Sequence, residues 1–177
     1  MKIYKTIIKG LVLLKSKKYH DSRGVFFESY NKKILFDLGI KDNFVQDNLS
    51  FSKKNVLRGM HFQKNNSQGK FITVISGSIL DVVVDLRKKS KTFGKYESFI
   101  LNEKNNKQLW IPKNFAHGFL ALSNNVIINY KCTNFYDLND QNTIIWNDKL
   151  LNINWQIKYP IISKKDKMGV CFKDLIL

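Results

Sequence analysis

Three histidines, at positions 20, 61 and 117, and two cysteines, at 132 and 171, bound the chemistry open to this 177-residue chain. Imidazole is the one side chain that titrates near neutrality without help, and His61 has the most suggestive surroundings. It lies in NVLRGMHFQKNNSQGK, residues 55–70, flanked by Met60 and Phe62, with Arg58 upstream and Lys70 downstream. Strand alternation puts Leu57, Gly59 and His61 on one face and Arg58, Met60 and Phe62 on the other, so an apolar wall borders a titratable group. That pattern suits a proton-transfer group or a hydrogen-bonded core histidine. If the chemistry is acid/base, His61 can accept a proton, Lys70 can steady a developing oxyanion, and Tyr130 can donate a proton from a phenol of pKa about 10. Taken singly, Lys70 also reads as a surface lysine and Tyr130 as a half-buried strand tyrosine.

Other chemistries lack their residues. An H-x-H metal pair is missing, since Phe62 and Gln63 follow His61 and Gly118 and Phe119 follow His117, so no metal is expected. No G-x-S-x-G turn, dinucleotide fingerprint or phosphate-binding glycine loop occurs, so neither a serine nucleophile nor a cofactor is expected. Cys132, in YKCT, reads as a small buried hydrophobe. Two cysteines are too few for a disulfide framework, which implies reduced thiols and a cytoplasmic protein.

The elements that must position these groups read as short strands. Residues 1–20 form a first strand and a connection. His20 to Gly24 make a turn before a strand over 25–30, in which Phe26 and Glu28 share a face. Residues 31–41 fit a short helix closed by Gly39. The strand over 44–51 projects Gln46, Asn48 and Ser50 together, a row of hydrogen-bonding side chains suited to a polar ligand or an exposed edge. Residues 71–86 read as two strands joined tightly at Ser76-Gly77-Ser78, and 121–132 as two more joined at Asn124-Asn125 in a hairpin. Pro112 ends the strand before it. Trp146 and Trp155 are expected to anchor the less regular residues 133–177. Many short strands with at most one short helix predict an all-β sandwich, jelly roll or closed barrel, in a single domain over 1–177.

Hydrophobic residues at 44%, with thirteen Phe, exclude a disordered chain. The net charge of +16 raises nucleic acid or an anionic membrane as partners. The lysines are scattered, however, without a run of five or six, so neither partner is expected, and the basic surface instead favours a small anionic ligand. Lysines at 2, 5 and 9 interrupt the N-terminal apolar patch, and no stretch of eighteen apolar residues occurs, so neither a signal peptide nor a spanning helix is read.

Several motifs, taken in order, resemble one family. They are Asp21-Ser22-Arg23-Gly24 with Phe26 and Glu28, Gln46-Asp47-Asn48 with Ser50, VLRGMHFQ, DVVVDLR through TFG, QLWIPKNFAHGF, YKCT, and Ser163-Lys164-Lys165-Asp166. Together they are similar to the dTDP-4-dehydrorhamnose 3,5-epimerases. The resemblance implies a cupin-type jelly roll, a double-stranded β-helix with short peripheral helices, that uses no metal or cofactor and works as a homodimer. It implies inversion of C3 and C5 in a 4-keto-6-deoxy hexose carried on a nucleoside diphosphate. His61 then matches the base, Asp166 its carboxylate partner, Tyr130 the opposing acid and Lys70 the cation near the enolate oxygen. His117 matches a residue lining the pocket, Arg23, Arg58 and Lys165 match contacts near the diphosphate, and Phe26 and Tyr136 match residues near the base. Gln46, Asn48 and Glu28 match nucleotide or sugar contacts. Arg23, Phe26 and Glu28 would come from the partner subunit. Asn55 stands where a glycine is common, Gly69 precedes Lys70, and Gln156 replaces a proline after Trp155. The alternatives are an epimerase acting at one centre or a ketoisomerase on a related sugar, and a sugar-binding cupin without catalysis. Alternation sets Arg58 opposite His61, so either the strand bends near Gly59 or Arg58 serves another role.

Overall fold

Two antiparallel sheets share one apolar core in the computed structural model, which describes residues 2–175. In chain order the first elements are β1 (Lys2–Tyr4), β2 (Val12–Lys15), β3 (Tyr19–Asp21), β4 (Gly24–Phe26), α1 (Lys32–Asp37), β5 (Gln46–Ser52), β6 (Leu57–Gln63) and β7 (Lys70–Ser76). Then follow β8 (Ser78–Asp85), β9 (Tyr96–Asn102), β10 (Lys107–Ile111), β11 (Phe115–Ala121), β12 (Val126–Cys132), β13 (Gln141–Thr143), α2 (Lys164–Lys167) and a 3₁₀ turn at Phe172–Asp174. One sheet runs β1-β2-β10-β7-β12-β5 and the other β13-β6-β11-β8-β9, while β3 and β4 pair as a separate hairpin. This is the cupin-type jelly roll, with short helices at its periphery.

Three apolar layers explain the sequence pattern. Between the sheets, Ile72, Val74 and Ile128 of one meet Ile79, Val83 and Phe119 of the other. On the far side of the five-stranded sheet, Leu80, Val82 and Val84 pack under Ile144, Leu151 and Trp155. Burial on both faces is why β8 is rich in Ile, Leu and Val on either side of the buried Asp81. On the far side of the six-stranded sheet, Leu14, Phe71 and Trp110 receive Leu35 and Ile40 from the α1 region. Asn31 caps α1 by accepting from the Ile34 amide at 3.2 Å, and Gly39, at φ +83°, follows its end. Trp155 donates its indole N–H to the Trp146 carbonyl at 2.7 Å, as expected of anchoring residues.

Three expectations need correction. The tight turn expected at Gly77 joins β7 to β8, but the turn at Asn124-Asn125 makes no hairpin, because it carries the chain from β11 in one sheet to β12 in the other. Tight turns look alike in sequence whether the strands pair or part; here inward apolar residues on both sides of the turn serve two walls of one core. The strand expected over 25–30 stops at Phe26, since its exposed hairpin pairs only with β3. The C-terminal α2 was not anticipated at all, being a single turn capped by Ser163.

Candidate active site

A cavity of about 450 Å³ opens between the sheets, with a second compartment of about 220 Å³ beside it. His61, Lys70, Tyr130 and Gln141 line both. His61 on β6 and His117 on β11 come from the five-stranded sheet, whereas Lys70 on β7 and Tyr130 on β12 come from the six-stranded one. The imidazoles therefore face the phenol and the ammonium across the gap.

How Arg58 and His61 reach one cavity is answered by register. His117 pairs with His61 and Phe119 with Arg58, so two steps along β11 span three along β6. The extra residue is a β-bulge, and one inserted residue turns the following side chains to the other face. Arg58 and His61, on opposite faces under strict alternation, thus share a wall. Gly59 makes this fit, with φ at +126° and an added Cβ falling 2.5 Å from the Gly118 Cα.

His61 is held by the C-terminal segment. Residues near Ile161 and Val170 bond to the Leu57 amide and the Thr143 carbonyl, which lays α2 against β6. Asp166 on that turn places Oδ1 2.7 Å from His61 Nε2, while its Oδ2 accepts from the Gly59 amide at 3.2 Å. The Asp166 amide donates to Ser163 Oγ at 3.1 Å. Burial alone would raise the Asp166 carboxyl, but its bond to His61, the imidazole's charge and the Gly59 N–H outweigh it and hold the group below the usual carboxylate range. An ionised Asp166 accepts Nε2–H and so leaves Nδ1 of a neutral His61 as the free basic nitrogen.

The opposing wall is short of protein partners. Neither the Lys70 ammonium nor the Tyr130 hydroxyl has a hydrogen bond or ion pair among the described residues. Desolvation pulls the Lys70 pKa down, against upward pulls from Cys132 and Asp81. Desolvation also pushes the Tyr130 phenol up, which keeps it protonated.

Around this centre the expected residues divide into two groups. Gln46 and Asn48 stand on β5 in the second compartment, joined by a 2.9 Å bond, and the Tyr136 amide donates to Gln46 Oε1 at 2.8 Å. Lys165 reaches the Tyr136 hydroxyl at 3.5 Å. Arg58 is steadied by Ser52 Oγ and the Phe51 carbonyl, each at 3.1 Å. The other group, Arg23, Phe26 and Glu28, lines neither compartment. Arg23 and Phe26 sit on the exposed β3–β4 hairpin, with the Arg23 side chain 88% exposed and paired with Asp21.

Three neighbours escaped the sequence reading. Cys132, expected as a plain hydrophobe, is buried but borders the second compartment, where Asn48 contacts its sulfur at 3.6 Å and burial pushes its thiol pKa up. Asp81, fully buried, meets His117 Nε2 at 2.9 Å, and its Oδ1 has no partner among the described residues. Gln141 is the third. A carboxylate inside the apolar run DVVVD was a legible signal for Asp81; nothing in the sequence marked Gln141. Among the described residues no group of three His, Cys, Asp or Glu could hold a metal ion.

The inter-sheet cleft thus sets an imidazole–carboxylate pair against a phenol and an ammonium that have no partner among the described residues, a set of groups able to move protons. The model of one family, described as dTDP-4-dehydrorhamnose 3,5-epimerase, matches residues 5–174, and the chain belongs to that family. It is 47% identical to the dTDP-4-dehydrorhamnose 3,5-epimerase of Salmonella typhimurium over 169 residues, covering 94% of this chain and 92% of the relative. The crystal structure of the Bacillus anthracis enzyme with TDP and PPi bound superposes with a TM-score of 0.94 at 44% identity, covering 97% of this chain and 99% of that one. The Legionella pneumophila enzyme in complex with dTDP-4-keto-L-rhamnose gives 0.95 at 41% identity, over 98% and 94% of the two chains.

Proposed function

We propose that this chain inverts C3 and C5 of dTDP-4-dehydro-6-deoxy-D-glucose to give dTDP-4-dehydro-L-rhamnose. The observation that carries the reading is the placement of His61, backed by Asp166, on one sheet and of Tyr130 on the other, around a single cavity. The C4 ketone acidifies the C–H bonds on either side of it. His61 Nδ1 removes one of these protons, and the electron pair moves into an enolate whose oxygen Lys70 meets. Tyr130 delivers a proton to the carbon from the other face, and solvent returns the proton balance between phenolate and imidazolium. A positioned base or acid of this kind is worth roughly 10²- to 10⁴-fold, and a preorganised cation at the enolate oxygen is of comparable weight.

Arg58 and Lys165 are assigned to the diphosphate, in keeping with the geometry of guanidinium and ammonium groups toward phosphate. Gln46 and Asn48 are assigned to nucleotide or sugar hydrogen bonds, Tyr136 to the neighbourhood of the base, and His117 to the pocket wall. Arg23, Phe26 and Glu28 are assigned to the partner's cavity in a homodimer. The exposure of the β3–β4 hairpin, with Phe26 67% accessible, supports that exchange. We further take residues 1–177 as one domain and the cytoplasm as its compartment, in keeping with two free thiols.

The test is incubation of the chain with dTDP-4-keto-6-deoxyglucose in D₂O, followed by NMR of the sugar. Deuterium should enter at both C3 and C5 with inversion at each. Exchange at neither carbon would overturn the assignment, and exchange at one alone would make the chain a single-centre epimerase.

A further inference from the structure

Asp81 is a carboxylate in an apolar position. Alternation along β8 turns Ile79, Asp81 and Val83 toward the space between the sheets, and Ile79 and Val83 join the apolar cluster there. Asp81 is wholly buried. On the neighbouring β11, His117 pairs with Val83 and Phe119 with Asp81, which makes His117 and Asp81 diagonal neighbours on one face. His117 also pairs with His61 on β6. His61, His117 and Asp81 therefore form a row across three adjacent strands of the five-stranded sheet, while Lys70 and Tyr130 stand on the other sheet.

A carboxylate enclosed in this way is costly unless charge and hydrogen bonds compensate it. Its Oδ2 lies 2.9 Å from His117 Nε2, while Oδ1 has no partner among the described residues. The cleft holds a deficit of the opposite sign in the Lys70 ammonium, which has no hydrogen bond or ion pair among the described residues. Desolvation pulls Lys70 toward the neutral amine, and Cys132 and Asp81 pull against it. Burial pushes the Cys132 thiol up and keeps it protonated, which leaves the Asp81 carboxylate as the counterweight. We propose that Asp81 is the buried counter-charge of the cleft, a positioning residue that fixes the His117 imidazole through Nε2 and balances the Lys70 ammonium across the cavity. The other titratable and charged groups facing Lys70 are His61, Arg58 and His117 from the five-stranded sheet and Tyr130 and Cys132 from β12. Of these, His61 has its own carboxylate in Asp166. The consequence for turnover rests on the epimerase reading, because a neutral Lys70 cannot stabilise an enolate oxygen by charge.

The experiment compares the wild-type chain with Asp81→Asn, which keeps the shape and an acceptor for Nε2–H but removes the charge. Carbon NMR follows the titration of the Lys70 Cε, identified by its loss in Lys70→Gln, and nitrogen NMR reads the two ring nitrogens of His117. In the wild type, Nε2 of His117 should carry the proton that Asp81 accepts. A bare Nε2 would place that proton on the carboxyl and overturn the counter-charge, a result that needs no variant to fold. In Asp81→Asn, the Lys70 titration and the alkaline limb of kcat/KM should both move to lower pH by about one unit, so that kcat/KM on that limb falls about 10-fold. A merely structural role would lower the melting temperature and leave both curves in place. A folded Asp81→Asn protein with the wild-type Lys70 titration therefore overturns the proposal. If the wild type exchanges deuterium at neither C3 nor C5, the epimerase reading fails, while the two NMR measurements still decide the charge role of Asp81.

Discussion

Asp166 and Asp85 are both buried carboxylates that hold a basic side chain, yet only the first of the pair helps to build a site. Asp85 receives Arg87 Nε and Nη2 at 2.8 Å each, the Arg87 amide at 3.0 Å and Thr92 Oγ1 at 2.6 Å, and Arg87 stacks over Phe115 at 4.5 Å. That cluster closes on itself and fastens the loop between β8 and β9. Asp166 spends its oxygens on His61 and the Gly59 amide, and the imidazole it holds still has a nitrogen left over beside an open cavity. The difference lies in where the remaining hydrogen-bonding capacity points: inward and used up in one case, toward a ligand in the other. An ion pair alone therefore does not mark a site; a paired group with an unspent face on a cavity does.

Substitutions should separate the two clusters. His61→Ala should lose activity by about 10⁴-fold, the upper end for a positioned base, while remaining folded; activity within tenfold of wild type would remove His61 from the base role. Asp85→Ala should do the reverse. It leaves the Arg87 guanidinium without its carboxylate, so stability should fall by about 3 kcal/mol and the melting temperature by about 10 °C, with kcat of the folded fraction unchanged in a steady-state assay. The same carboxyl also sets an acid response. Burial raises it, but bonds from Arg87, Ser90 and Thr92 more than reverse this and hold it far below the usual carboxylate range. Its contribution is thus present above the unfolded pKa of about 4 and is lost as pH falls through the lower native value. Denaturant melts between pH 6 and pH 2 should show a shallower acid loss in Asp85→Ala than in wild type.

Asp166→Asn should slow turnover roughly 10²-fold, because an amide can donate to Nε2 and so favour the wrong tautomer of His61. A pH–rate profile and a thermal melt would show a catalytic loss without a matching loss of stability; equal losses in both would class Asp166 with Asp85. The smallest effect belongs to the surface pair of the half-buried Lys131 and the exposed Asp47, 2.7 Å apart. Lys131→Ala should change stability by less than about 1 kcal/mol, which a denaturant titration can bound.

Much of the site was legible before the fold because its residue types are uncommon in this chain. With only three histidines, His61 stood out, and the row of Gln46, Asn48 and Ser50 on one face of β5 followed from alternation alone. The local period failed where the fold inserted a residue. The bulge at Gly59 moved Arg58 onto the wall of His61, and no count of alternating residues reports an insertion whose partner strand is unknown. The turn at Asn124-Asn125 misled for a related reason: a tight turn fixes a change of direction but not which sheet receives the next strand. Asn55, where the resembled pattern has glycine, adopts φ +67°, a value asparagine tolerates better than most residues, so that departure keeps the local shape. Asp166 could be connected to His61 only through resemblance, since 105 residues separate them. Gln141 had no sequence signal because its place beside His61, Lys70 and Tyr130 is visible only once the strands are paired.

The division of labour between the sheets is tested most directly by Tyr130→Phe in D₂O. With the base intact and the opposing acid removed, His61 can still take a proton and return a solvent-derived one to the same face. NMR of the recovered sugar should then show deuterium entering with retained configuration faster than inversion. Inversion at both C3 and C5 at the wild-type rate would contradict the account.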